Sequence, residues 1–87
     1  MIDVVMYQRP GCHLCDDARG VLTAVVAEAR AAGTAVTVRE VDIDQDAALR
    51  DRYGELVPVI AVEGDPVCQW WADADRLRRA IDRVAGR

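Results

Sequence analysis

The sequence predicts an α/β fold: a four-stranded mixed sheet flanked by helices, in the order β-α-β-α-β-β-α. Three observations carry that prediction. Short runs rich in Val and Ile have strand length, longer stretches repeat apolar residues every three or four positions, and Gly or Pro marks the boundaries between them. With 87 residues, of which 52% are hydrophobic, the chain makes a single domain, 1–87, with one modest core and no room for a second.

The first strand is IDVVMY, residues 2–7, a β-branched run stopped by Arg9-Pro10-Gly11. Beyond that turn Leu14, Ala18, Val21, Leu22, Val25, Val26 and Ala29 mark one face of a helix that Gly33 ends. Gly20 inside it costs about 1 kcal/mol of helix propensity. The second strand lies in AVTVREVDI, 35–43, where alternation breaks once at Arg39-Glu40, so an edge position or a bulge is expected. Asp44 can cap a short helix through Tyr53, with Gly54 as its stop. LVPVIAVE, 56–63, reads as the third strand, Gly64-Asp65-Pro66 as a tight turn, and VCQW as the fourth strand. Asp73 or Asp75 opens a last helix with Leu77, Ile81 and Val84 inward and its arginines outward. Trp70 and Trp71 are expected to pack in the core with one exposed face, and Tyr7 and Tyr53 beneath the sheet. The two β-α-β units suggest parallel pairing and the tight turn an antiparallel hairpin at the end.

Charge and composition narrow the function classes. The net charge is −4 and the eleven basic residues, all Arg, are scattered, which argues against a nucleic-acid surface. No segment approaches ~20 consecutive apolar residues, and the first eleven residues, with Asp3 among them, do not read as a secretory signal. No membrane partner is expected. The expected compartment is the cytoplasm, where thiols stay reduced, so a structural disulfide is a poor account of three cysteines.

The chemistry concentrates in RPGCHLCDDA, residues 9–18. Cys12 and Cys15 stand two residues apart where a strand hands over to a helix. Unpaired amides and the positive end of the helix dipole favour a thiolate there, and the thiolate is the attacking species in disulfide exchange. Cys15 follows one turn later on the same face, within reach of a mixed disulfide held on Cys12. Arg9 and Arg19 favour the thiolate; Asp16 and Asp17 oppose it. His13 is expected to face solvent and modulate the pair rather than act as a general base. A zinc site would need Cys12, His13, Cys15 and Cys68 together, and His13 projects away from the face the two cysteines share. An interchain iron–sulfur site is a weaker alternative. For Cys68 the plain reading is a small buried hydrophobe in a strand.

The element order with a CxxC at the first helix start, together with Val57-Pro58-Val59 and the stretches VDIDQDAALRDRYG and VPVIAVEG, resembles the thioredoxin superfamily, and among its members the small glutaredoxin-like proteins, almost end to end. The resemblance implies a thioredoxin-like fold and a thiol–disulfide oxidoreductase without a bound cofactor, with Cys12 as nucleophile and Cys15 as resolving thiol. It implies a cis Pro58 beside which the substrate sulfur docks, and Val57 supplying backbone that pairs with a thiol tripeptide. Arg9 takes the place of a basic residue that helps bind the glutathione carboxylate. Cys68 and Gln69 fall beside the substrate groove, where Cys68 could act as a third, regulatory thiol, and His13 lies between the two cysteines. There are departures: Cys-His-Leu-Cys replaces Cys-Pro-Tyr-Cys, Leu56 stands for Thr, Cys68-Gln69 for Gly-Gly, and Trp70-Trp71-Ala72 follows where a charged residue is usual. Glutathione therefore stays open as a partner beside other low-molecular-weight thiols and disulfide-containing proteins. A monomer is expected. Two other function classes compete: a thioredoxin-fold adaptor that holds a partner without turnover, and a metal-binding thiol protein.

Overall fold

In the computed structural model, which describes residues 1–86, β1 (Ile2–Gln8) is followed by α1 (His13–Ala31) and β2 (Val36–Asp42). A 3-10 turn (Ile43–Gln45) and α2 (Ala47–Tyr53) lead to β3 (Val59–Val62), β4 (Asp65–Gln69) and α3 (Ala74–Ala85). The sheet order is β2-β1-β3-β4. β1 and β2 pair in parallel through the α1 crossover, whereas β1 with β3 and β3 with β4 are antiparallel. The second β-α-β unit is thus not a parallel crossover, against the expectation. Its helix has seven residues, a rise of about 10 Å, while a seven-residue strand spans about 23 Å. The chain cannot return to the far end of the sheet and starts β3 at the end where β2 stops.

The sheet buries its two faces unequally. Against α1 and α3 it packs the larger cluster, in which Val4, Met6, Val25, Ile60, Leu77 and Ile81 are almost wholly enclosed. On the other face Ile43, Tyr53 and Val59 form a smaller buried cluster, with the paired Val5 and Ala61 also buried on that side, and Tyr7 lies against Tyr53 at 4.6 Å between ring centroids. No described helix is long and apolar enough to cross a membrane.

Several boundaries differ from the sequence expectation. β2 ends at Asp42, and Ile43 turns fully inward, so Asp42 caps the 3-10 turn and accepts the Asp44 N–H at 2.9 Å. The Arg39-Glu40 break marks an edge strand whose register with β1 is unbroken; the sheet irregularity lies instead between Ile60 and Ala61, opposite β4. The cap of α2 is Asp46, not Asp44: its Oδ1 accepts from Ala48 N–H at 2.9 Å and Leu49 N–H at 3.3 Å. Asp46→Ala is expected to lower stability by about 1 kcal/mol, read as a shift of the urea midpoint at constant slope. The strand expected over 56–63 is shorter, and its hairpin loop is Glu63-Gly64 rather than Gly64-Asp65-Pro66. Both loop residues have positive φ, 51° and 80°, as a two-residue turn between twisted strands requires. Pro66 then sits on an edge strand, where its missing N–H is tolerated. Asp73 caps α3. Leu14 and Val84, expected inward, are exposed, one a step off the buried register of α1 and the other in the last turn of α3.

Candidate active site

The Pro10-Gly11 turn ends β1, with Gly11 at φ 76°, a conformation that glycine adopts without penalty. That reversal puts Cys12 at the N-cap of α1 with extended backbone. Its Sγ takes the place of a capping oxygen and accepts the Cys15 N–H at 3.1 Å. Cys12 is half-buried, Cys15 is 1% exposed, and both are free thiols, as is Cys68. Burial, helped by the contact with the Cys12 sulfur, pushes Cys15 up to about 11; a backbone contact to Arg9 and the charge of Arg19 pull more weakly the other way. Cys15 therefore keeps its proton at neutral pH. At pH 7.5 iodoacetamide is expected to alkylate Cys12 well before Cys15, counted by peptide mass. Because burial favours the neutral form, the Cys15 rate should climb about tenfold per pH unit towards pH 11.

The charged neighbours are committed elsewhere. Arg19 binds Asp16 at 2.8 Å and both oxygens of Glu40 at 2.8 Å, which raises its own affinity for the proton and holds the Glu40 carboxyl below its usual range. Arg9 donates from Nε to Asp44 Oδ1 at 2.9 Å and from Nη1 to the Gly54 carbonyl at 3.1 Å. It ties the end of β1 to the 3-10 turn and to the end of α2. His13, the first residue of α1, is exposed.

The Val57–Pro58 peptide is cis, with Pro58 buried and Val57 half-buried. Tyr7 pairs with Val59, so Pro58 lies at the sheet end from which the chain turns into Cys12. Behind it stands Trp70. Its N–H donates to the carbonyls of Leu56 at 3.0 Å and Pro58 at 2.9 Å, and its indole Nε1–H donates to the Glu55 carbonyl at 2.9 Å. Trp70 holds a positive φ of 69° and is half exposed, and Trp71 is more exposed still; neither is a core residue. The sequence reading missed this clamp, although adjacent residues at a strand end point to opposite sides and cannot both enter one core. Gln69 is exposed opposite Val59. Cys68, opposite Ile60, is buried in the larger cluster, and that burial pushes its thiol up. Among the described residues no three His, Cys, Asp or Glu side chains are grouped to hold a metal ion.

The site can thus present one accessible sulfur at a helix start, a second beneath it holding its proton, and a proline loop at the same sheet end. A family model described as Glutaredoxin-like domain (DUF836) matches residues 3–82. An X-ray structure of target protein XcR50 from X. campestris is 39% identical, covering 92% of this chain and 96% of its own, with a TM-score of 0.69. A solution structure of XcR50 is 38% identical, covers 92% of each chain and has a TM-score of 0.65. Chloroplastic thioredoxin z, 15% identical, is covered over 80% of its length by the whole of this chain, with a TM-score of 0.75, and at that identity it shows the fold alone. No curated protein matches the chain.

Proposed function

Because the chain belongs to the glutaredoxin-like domain (DUF836) family and has its thioredoxin-like fold, we propose that it is a thiol–disulfide oxidoreductase that cycles Cys12 and Cys15 between dithiol and disulfide. The observation that carries this reading is the pairing of a half-buried Cys12 at the α1 N-cap, its Sγ facing the Cys15 N–H, with a buried Cys15 directly after it. A substrate disulfide docks beside Pro58, with the Val57 backbone, His13, Gln69 and the wall of β4 around Cys68 bordering it. The Cys12 thiolate attacks one substrate sulfur; the substrate S–S bond breaks and its other sulfur leaves as a thiolate that takes a proton. Cys15 then attacks Cys12 Sγ and gives up its proton to the second departing substrate thiolate. The substrate gains two electrons and two protons, and the protein is left as the Cys12–Cys15 disulfide.

Arg9 acts here by fixing the 3-10 turn and the end of α2 beside the Cys12 loop. Its two existing partners favour a positioning role over capture of a tripeptide carboxylate. On this reading the protein works as a cytoplasmic monomer without a bound cofactor and is re-reduced by a small thiol or another dithiol protein. The test is a redox titration in buffers of set potential, with acid quench, alkylation and intact mass. A reversible two-electron change confined to Cys12 and Cys15 is the expected result. No reversible change would sink the oxidoreductase reading and leave the groove as a binding surface.

A further inference from the structure

The flank of α3 that faces β4 has a charge pattern unlike the rest of the chain. A cavity of about 350 Å³ is bordered by Trp70, Trp71, Asp73 and Arg76, and it continues past Pro66 and Val67 into one of about 290 Å³ bordered by Arg76, Arg79 and Arg83. Arg76, Arg79 and Arg83 recur every three or four residues and make no ion pair among the described residues. Of the acids of α3, Asp75, one turn before Arg79, is paired with Arg78 at 2.8 Å, and Asp82 is turned to the α1 side of the helix, where it lines the groove between α1 and α3. Arg78 also reaches Glu28 on α1 at 2.8 Å. Asp73, the acid inside the trough, has its Oδ1 turned to the Arg76 N–H as a cap. A chain with net charge −4 therefore presents one trough with two exposed indoles and three guanidinium groups that have no ion pair among the described residues. Of the three, Arg76 also donates to the Val67 carbonyl at 3.4 Å.

We infer that this trough docks an acidic polypeptide segment of the disulfide substrate. The inference rests on the oxidoreductase reading and deepens it by naming the substrate class. The trough reaches the site: Gln69 pairs with Val59, and Trp70 holds the Pro58 carbonyl. A substrate with its disulfide over Cys12 runs naturally from Pro58 along β4. From Arg76 to Arg83 the helix rises about 10 Å, which matches three or four extended residues. That length suits a short run of Asp and Glu with an apolar residue against Trp71, since guanidinium groups pair with carboxylates in a fixed fork. Strand addition on β4 is disfavoured by Pro66 and by the register shift beside it, so recognition falls to side chains. A nucleic acid fits less well, because a long polyanion meets the net negative charge of the remaining surface.

Trp70 and Trp71 are the chain's two tryptophans, so intrinsic fluorescence reads this trough directly. The probe is a cysteine-free peptide, Asp-Glu-Asp-Leu-Asp-Glu, titrated beside its charge-inverted Lys/Arg counterpart and a six-nucleotide oligouridine. The acidic peptide is expected to perturb the fluorescence saturably, the basic one not. R79E/R83E, at two exposed positions, should weaken the acidic peptide about tenfold, and so should raising the salt from 20 to about 500 mM. Equal response to both peptides, no response to either, or no effect of R79E/R83E would overturn the inference, as would tighter binding of the oligonucleotide. A second assay joins each hexapeptide to a small disulfide loop and follows a single turnover with the reduced protein. Faster reduction of the acidic substrate supports the docking, and equal rates refute its role in substrate choice. If neither loop is reduced while the acidic peptide still binds, the oxidoreductase reading fails and the docking surface stands.

Discussion

Cys12→Ser is expected to abolish disulfide exchange, a fall of roughly a thousandfold or more, because a serine hydroxyl has no thiolate form at neutral pH. The fold should survive the change. Cys12 sits at the N-cap with its sulfur accepting the Cys15 N–H, and serine is among the preferred residues for that position. Unchanged thermal unfolding with lost exchange therefore separates chemistry from structure. Cys15→Ser is expected to behave differently. The first attack still occurs, the second cannot, and the substrate stays on Cys12 as an adduct visible by intact mass. If Cys15→Ser turned over as well as the parent, the resolving role would pass elsewhere, with Cys68 the remaining thiol.

Leu77→Ala should produce the largest loss of stability, about 2–5 kcal/mol. Leu77 is fully buried on α3 within the larger cluster, so the truncation leaves a cavity where the helix meets the sheet. In a domain of this size each kcal/mol lowers Tm by about 4–8 °C, so a fall of at least about 8 °C is expected. Val84→Ala, two turns later on the same helix, should change stability by less than about 0.5 kcal/mol, because Val84 is 47% exposed. Urea unfolding of the two variants checks both values. Comparable losses would mean that α3 is packed along its whole length.

That contrast also marks what the sequence can carry. The helical spacing from Ala18 through Val26 and from Leu77 to Ile81 identifies real core faces, because the buried residues there recur on one side of the helix over about two turns of α1 and one of α3. The same spacing cannot say where the sheet beneath a helix stops, and so it misplaces Leu14 and Val84. Between β2 and α2 three acids alternate, Asp42, Asp44 and Asp46, and each could cap a helix. Asp44 is withdrawn from that role by Arg9, a partner 35 residues away that local pattern does not reveal. The CxxC is legible because its chemistry depends on local position at a helix start. The cis Val57–Pro58 bond is a different matter: proline alone rarely adopts that form, and only the family resemblance pointed to it. The Trp70 clamp had no signal beyond the awkwardness of two adjacent tryptophans.

The unequal cover of the sheet has a consequence for how the site moves. Cys12 caps a 19-residue helix whose Ala18, Leu22, Val25 and Val26 are buried in the larger cluster, so the body of the helix behind it is among the later parts to open. The segment before Pro58 belongs to the thinner layer, where the smaller cluster of Ile43, Tyr53 and Val59 packs under a seven-residue helix. Local opening of that layer takes less free energy than global unfolding. On the proposed function the nucleophile would stand over the larger core cluster and the docking loop over the smaller one, where the Trp70 hydrogen bonds hold it. If substrates dock beside Pro58 as proposed, differences in their shape are expected to be taken up on the loop side of the site rather than at Cys12.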